Sequence, residues 1–208
     1  ANLVEMPTAV MGGFDREYLS LPRDVLISVM KKHQRYFPVQ KKSKSGGKPE
    51  TWNVELGTLL PHFIAIRNGD DIGMDTVREG NEHVLGARFA DANFFVREDV
   101  KLKLEEYRPK LSALTFHAKL GSMLDKSDRM LKLGAEAGAM LGYRDAAVVK
   151  NYARAVYLSK ADLATQMVTE MTSLQGVIGG EYALRSGEPA EVAKALAEQY
   201  QTVPQTKE

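Results

Sequence analysis

The residues best suited to chemistry form a basic stretch that contains aromatic side chains. Residues 31–48 include seven Lys or Arg and no Asp or Glu, whereas the whole chain of 208 residues has a net charge of only +1. Lysine and arginine hold phosphates and release counterions, and rings such as Tyr36 and Phe37 can stack on unpaired bases. The stretch therefore favours contact with RNA or DNA, and the alternative is a solvated lysine loop after an ordinary strand. Its candidate phosphate-binding residues are Lys31, Lys32, His33, Arg35, Lys41, Lys42 and Lys44.

Two further polar groups either bind a ligand or pair internally. Residues 80–95 contain Asn81, Glu82, Arg88 and Asp91, which predict a polar network or a salt-bridged helix junction. The second group has cations and carboxylates three or four residues apart, a spacing that favours pairing along a helix, and any unpaired cation could contact phosphate. Its members are Lys119, Asp125, Lys126, Asp128 and Arg129. The two groups add Arg88, Lys119, Lys126 and Arg129 to the candidate RNA-binding residues.

A third motif resembles the metal-binding helix of HD-type helical domains. Ala161-Asp162 stands where a His-Asp pair would stand, so the aspartate is present and the histidine is missing. A divalent metal in such a site needs several His and Asp ligands, and His117 is the histidine of the helical half nearest to this motif. We therefore predict no metal ligand and no catalytic residue. Lys160 lies beside an apolar stripe and must either snorkel or find an acid, with Asp125 and Asp128 as candidate partners.

Composition excludes several classes of protein. The sequence has no cysteine, which excludes a disulfide scaffold, a thiol nucleophile and a cysteine zinc site. No apolar run approaches the roughly 20 residues of a membrane span, and no secretory signal opens the sequence. These features predict a cytoplasmic location without a membrane partner. The sequence begins at Ala1 without methionine, so we expect a piece of a longer protein.

The first 75 residues predict a small mixed α/β part. Expected strands are residues 8–11, 35–40 and 62–67, each rich in residues that favour β structure. Pro22 suits the start of a helix, and Val25, Leu26, Val29 and Met30 then share one helical face. Residues 41–57 lack periodicity and predict a surface loop.

Residues 76–208 predict an all-helical part, which makes the fold class α+β. A helix from Asp75 or Thr76 to Leu85 and a longer one after it are expected. Other predicted helices span residues 110–121, 122–141, 145–171 and 189–200. Ser122 and Asp125 have the spacing of a capping box, and Gly142 is a stop signal. The glycine-rich residues 174–180 predict a close turn between helices.

Seven segments, in order, resemble the β subunit of the bacterial heterotetrameric glycine–tRNA ligase. They are residues 33–39, 63–68, 80–95, 120–126, 159–168, 174–179 and 182–183. The resemblance implies an interior fragment that ends within an HD-like helical domain. It also implies an α subunit that holds glycine and ATP with magnesium, and a β subunit that binds the tRNA acceptor arm. No cofactor is expected in this fragment. The alternatives are an HD-type metal-dependent phosphohydrolase and a subunit-docking module without RNA affinity.

Overall fold

A computed structural model describes residues 5–41, 58–142 and 144–201, without the side chain of His33. The chain forms two compact units, Ala1–Phe94 and Phe95–Glu208. The division falls inside a long helix that begins at Met74. The boundary at residue 75 stays a prediction. The described residues form mostly helices, together with two small antiparallel sheets. This confirms the predicted α+β class with a helical C-terminal part.

The first unit contains a three-stranded antiparallel sheet. Strand β1 is Pro7–Gly13, β2 is Phe37–Gln40 and β3 is Leu59–Asn68, in the order β1-β3-β2. Val10 pairs with Ala65 and lies on the buried face, together with Phe63 and Leu59. The alternation of buried and exposed residues along β1 and β3 follows the two-residue period of a strand that covers a core on one face.

Three short helical segments cover the buried face of this sheet. A 3-10 turn, Arg16–Ser20, is capped by Asp15, whose carboxylate accepts from Glu17 N–H. Helix α1 is Arg23–Ser28 and continues as a π-helical turn, Val29–His33. The four predicted apolar side chains of this segment are all buried, which confirms its helical face.

Helix α2, Met74–Asp99, is one continuous helix, so the prediction of two successive helices is wrong. Gly80 and Gly86 lie inside it, and the space beside each is open. A buried stripe that includes Leu85 and Phe89 offsets the cost of two interior glycines, which is about 1 kcal/mol each. The Phe14 ring meets Phe89 edge-on, with the ring centroids 4.9 Å apart.

The second unit is mostly helical, with one short hairpin in its described part. Its longer helices are α4, Met123–Met140, α5, Ala146–Leu158, α7, Val177–Arg185, and α8, Ala190–Glu198. The shorter ones are α3, Leu104–Tyr107, and α6, Gln166–Glu170, with 3-10 turns at Arg108–Ala113, Ala161–Ala164 and Thr172–Leu174. Strands β4, Thr115–His117, and β5, Gly121–Ser122, pair antiparallel.

Two predicted helices of this unit are wrong. Residues 110–121 form the end of a 3-10 turn and the β4–β5 hairpin, so this part is not all-helical. Residues 145–171 are divided into α5, a 3-10 turn and α6. The buried carboxylate of Asp99 accepts from Gln166 N–H and Met167 N–H, each at 2.9 Å, and so satisfies the start of a new helix there.

Helices α4 and α8 have the ends that the sequence predicts, within one or two residues, whereas no helix was predicted at α7. Ser122 and Asp125 form the expected capping box of α4, and Gly142 follows its end with φ +73°. An added Cβ on Gly180 of α7 would lie 2.7 Å from the carbonyl oxygen of Ala193 in α8. The glycine therefore permits the close helix contact that the glycine-rich segment predicted.

Candidate nucleic-acid interface

The basic segment of the first unit, residues 31–41, presents its charges from an irregular turn. Lys31 and Lys32 are exposed on the π-helical turn, a local widening that often occurs at functional sites. Arg35 is exposed and has φ +58°, a left-handed conformation that is uncommon for a residue other than glycine. Because of this conformation the predicted strand 35–40 begins only at Phe37. Lys41, just after the strand, is exposed as well.

Tyr36 faces the core and is not available to a base. Its ring stacks on Phe63, with centroids 4.7 Å apart and planes inclined by 15°. Its hydroxyl donates to Asn81 Oδ1 at 3.0 Å, and burial raises the pKa of this phenol. The expectation that both aromatics of the basic stretch can stack on bases is therefore wrong for Tyr36.

Phe37 lies instead on the outer face of the sheet and is 56% exposed. It pairs with Ile64, which also pairs with Met11 from the other side, so the three side chains form one row across the strands. Met11 is 61% exposed, and Ile66 farther along β3 is exposed too. The ring is thus accessible, but its neighbours on this face are apolar.

Of the remaining candidates of the first unit, only Arg88 has a described side chain. Lys42, Lys44 and the side chain of His33 lie outside the described residues. Arg88 is exposed on α2 and makes no hydrogen bond or ion pair within the described part of the chain.

The polar residues of α2 do not form the predicted salt-bridged junction. Asn81 accepts from Tyr36, and Glu82 Oε1 accepts from Gly13 N–H at 2.7 Å. Arg88 and Asp91 are exposed, and among the described residues neither joins Asn81 or Glu82. The first two residues therefore attach the helix to the sheet segment, and Arg88 remains a candidate cation.

In the second unit, residues 112–122 form a hairpin that we call the finger. Every residue from 112 to 121 is exposed, including Leu114, Phe116 and Leu120. Leu120 N–H donates to the His117 carbonyl at 3.0 Å, and Met123 N–H donates to the Leu114 carbonyl at 2.7 Å, so both ends of the hairpin are closed. The sequence predicted a helix over most of this segment and did not single out Phe116.

The acids nearest to the finger in sequence are engaged in structural contacts. Asp125 Oδ2 accepts from Ser122 N–H and Ser122 Oγ, each at 2.7 Å. These bonds lower the pKa of Asp125, and the charge of Arg129 adds a smaller effect. Asp128 Oδ1 accepts from the guanidinium of the buried Arg108. The predicted pairing of these acids with Lys119, Lys126 and Arg129 along the helix is therefore wrong.

This arrangement leaves three cations at the finger without an ion pair in the described part of the chain. Lys119 is exposed in the turn, and Arg129 is exposed on α4 one turn beyond Lys126. The Lys126 ammonium lies over the Phe116 ring, 4.1 Å from its centroid. Such a contact combines a cation with an aromatic face at one surface. The signal that sequence reasoning missed is Gly121, because a glycine directly before a capping serine marks a chain that enters the helix from a turn.

The HD-like motif is a packed structural feature. Asp162 is buried, and its Oδ2 accepts from Gly176 N–H. Burial raises the pKa of this carboxyl to about 6. Lys160 does not pair with Asp125 or Asp128 as predicted, but donates to Gln199 Oε1 and to the Tyr200 hydroxyl, each at 2.8 Å. Burial lowers the pKa of Lys160.

The described residues lack two features that alternative functions would need. Among these residues, no three His, Cys, Asp or Glu side chains lie close enough together to hold a metal ion. In the same ranges, no helix combines the length and the apolar character that are needed to cross a membrane.

The fold and the two basic surfaces define an α+β protein with a mostly helical second unit and features typical of nucleic-acid contact. The sequence matches the family model described as "Glycyl-tRNA synthetase beta subunit" over residues 1–208. The chain belongs to this family.

Curated relatives agree with this assignment. The glycine–tRNA ligase beta subunit of Halothermothrix orenii is 47% identical over 199 residues, which cover 96% of this chain and 27% of the relative. That of Clostridioides difficile is 48% identical over 198 residues, covering 95% and 26%, and that of Bacillus subtilis is 44% identical over 199 residues, covering 96% and 27%. The chain thus spans about a quarter of the length of the relatives that it matches.

Proposed function

We propose that this chain is a tRNA-binding and scaffold part of a glycine–tRNA ligase β subunit. In this proposal it supports the ATP-dependent attachment of glycine to tRNA by a cytoplasmic α2β2 enzyme. The α subunit of that enzyme uses ATP with magnesium, and no residue of this chain is catalytic. The tRNA acceptor arm is the proposed target, because shape and phosphates dominate the recognition of A-form RNA.

One observation carries the RNA-binding role: cations outnumber unpaired carboxylates at the finger. Asp128 is paired with Arg108, whereas Asp125 is hydrogen-bonded to Ser122 and keeps its charge, so one unpaired carboxylate stands against three cations. These cations are Lys119 and Arg129, which are exposed, and Lys126, which is half-buried. The exposed cations of residues 31–41 offer a second contact in the first unit. Membership of the family supports tRNA as the anion.

The test is an electrophoretic shift with glycine-accepting tRNA and with an unrelated tRNA, at two salt concentrations. Preferential binding that weakens with salt is the expected result, because each phosphate contact releases counterions. Equal binding to both tRNAs would reduce the role to nonspecific electrostatic attraction. Absence of binding at low salt would contradict the proposal.

Subunit docking without RNA affinity is a second candidate, supported by the outer face of the sheet. Met11, Phe37 and Ile66 are exposed there, and rows of large apolar side chains often mark protein interfaces. The occupant in this candidate is the α subunit. The double variant Met11→Lys, Ile66→Lys would then abolish association with the α subunit and leave tRNA binding unchanged.

The HD-type phosphohydrolase is not proposed. Asp162, the aspartate of the HD-like motif, is buried and contacts the Gly176 amide. A metal-dependent reaction needs several ligands and an open coordination position, and the described residues around Asp162 provide no such set.

A further inference from the structure

The finger is an exposed hairpin that combines apolar side chains with cations. An isolated two-stranded hairpin is marginally stable in water, so this one depends on what anchors it. His117 Nδ1 accepts from Lys119 N–H at 3.1 Å within the turn, and the Lys126 ammonium lies over the Phe116 ring at the base. These contacts hold three exposed apolar side chains, Leu114, Phe116 and Leu120, in solvent next to unpaired cations.

The electrostatics of the finger select a negatively charged ligand. Lys119 and Arg129 are exposed, and Asp125 and Asp128 are engaged in the capping box and in the Arg108 pair. An exposed aromatic ring among free cations is the combination by which proteins hold single-stranded nucleic acid, with phosphates on the cations and a base on the ring. A purely apolar partner would leave these charges without a counterpart.

We propose that the finger binds unpaired nucleotides of the RNA, with a base stacked on Phe116 and phosphates held by Lys119 and Lys126. This inference rests on the proposed tRNA-binding function and adds which part of the RNA the finger contacts. Inside a base-paired stem the faces of the bases are covered by their neighbours, so away from the end of the stem a phenylalanine ring can stack only on a base that is unpaired. The cations, by contrast, can hold phosphates of either form.

The experiment compares two RNAs in a fluorescence titration with the full-length protein: a short blunt stem and the same stem with a single-stranded extension. The wild-type protein binds the extended RNA more tightly. Phe116→Leu reduces this preference about fivefold or more, because it removes the base–aromatic stacking, and leaves affinity for the blunt stem unchanged. Leucine keeps an apolar side chain in the hairpin and removes only the aromatic face.

Phe37→Leu is the matched control, since Phe37 is the exposed phenylalanine of the other basic segment and receives the same substitution. It leaves the preference for the extended RNA intact. If Phe37→Leu removes the preference and Phe116→Leu does not, stacking belongs to the sheet and the inference is overturned.

A second variant keeps the inference testable if Phe116→Leu unfolds the hairpin. Lys119→Gln lies in the turn and contributes its backbone amide, which the substitution retains. It lowers the salt slope by about 1 for both RNAs. Wild-type protein that binds both RNAs equally overturns the inference but leaves the proposed function standing, whereas protein that binds neither overturns the proposed function. Loss of α-subunit association in Phe116→Leu with RNA affinity unchanged assigns the finger to a protein interface and also overturns the inference.

Discussion

The two basic–aromatic surfaces keep their cations free in different ways. In residues 31–41 the sequence itself contains no acid, and the one aromatic ring next to Arg35 turns inward to stack on Phe63. At the finger, acids are neighbours in sequence, and the fold neutralises one of them by pairing Asp128 with Arg108, whereas Asp125 caps α4 through Ser122 and keeps its charge. Composition therefore does not determine which side chains reach the surface. An aromatic residue in a basic stretch can pack in the core, and a stretch of mixed charge can form a cationic surface.

The largest expected difference between the two surfaces is in stability. Tyr36→Ala removes a stacked ring and a hydrogen bond to Asn81, and we expect a loss of about 3 kcal/mol in the unfolding free energy of the first unit. Phe116→Ala, on an exposed ring, should cost about 0.5 kcal/mol. Hydrogen exchange of the β3 amides measures the first effect and exchange of the α4 amides the second. Equal losses would contradict the assignment of Tyr36 to the core.

A second prediction concerns Asp162, a buried acid of the second unit. The pKa of Asp162 is about 6 in the folded protein and 3.8 ordinarily, so the folded state binds the proton more tightly between these values. Stability is therefore higher at low pH and falls as the pH rises through 6. From about pH 5 to about pH 7.5 the wild-type protein should lose about 1 kcal/mol from this group.

Asp162→Asn should remove this part of the pH dependence, because the amide does not ionise and its oxygen can still accept from Gly176 N–H. Urea unfolding at the two pH values measures the change. Glu170→Gln, an exposed acid of the same unit, is the control and should leave the pH dependence as it is in the wild type. Identical slopes for wild type and Asp162→Asn would show that Asp162 does not titrate in this window.

The third prediction concerns a variant that frees the Asp125 carboxylate at the finger. Ser122→Ala removes the side-chain cap of α4 and should cost about 1 kcal/mol of stability. It also removes a hydrogen bond to Asp125, so the pKa of that carboxyl rises toward its ordinary value and its side chain becomes free to approach the nearby lysines. We expect weaker tRNA binding together with the lower melting temperature. Ser20→Ala, at an exposed serine of the first unit that donates to the Glu17 carbonyl, should leave tRNA binding unchanged.

The smallest expected effect is a change in the salt dependence of tRNA binding, which can be measured for each of the two surfaces. Lys119→Gln with Lys126→Gln should lower the slope of log affinity against log salt by about 2, roughly one for each charge. Lys31→Gln with Lys32→Gln should do the same if residues 31–41 also contact phosphate. Lys101→Gln with Lys194→Gln, which removes two lysines already paired with glutamates, is the control and should not change the slope. A finger pair that behaves like this control would remove the finger from the interface.

Local signals in the sequence were sufficient for elements whose ends they define. Ser122 and Gly142 mark the two ends of α4, and the apolar face of α1 follows from Val25, Leu26, Val29 and Met30. The division of residues 145–171 depends instead on Asp99, a carboxylate more than sixty residues earlier in the chain that caps α6. No periodicity within the segment could reveal a partner that distant.

The candidate site also depends on contacts between residues that are distant in sequence. Lys119, Lys126 and Arg129 were found from charge alone, but their freedom from acids depends on Arg108, which residue spacing did not link to Asp128. The finger itself was predicted as helix, since Lys110, Leu111 and Ala113 favour helices and the turn is decided by Gly121 at φ +82°. An added Cβ there would overlap the Asp125 carboxylate, so the glycine and the cap depend on each other.

The exposure of the finger has a consequence for the kinetics of encounter. Cations on an exposed hairpin attract an approaching polyanion from a distance, and long-range attraction of this kind acts on the association rate more than on the lifetime of the complex. Lys119 in the turn would then govern how fast RNA is captured, whereas Phe116, which acts only at contact, would govern how long it stays. Two residues of one hairpin, three positions apart, would thus control the association rate and the dissociation rate separately.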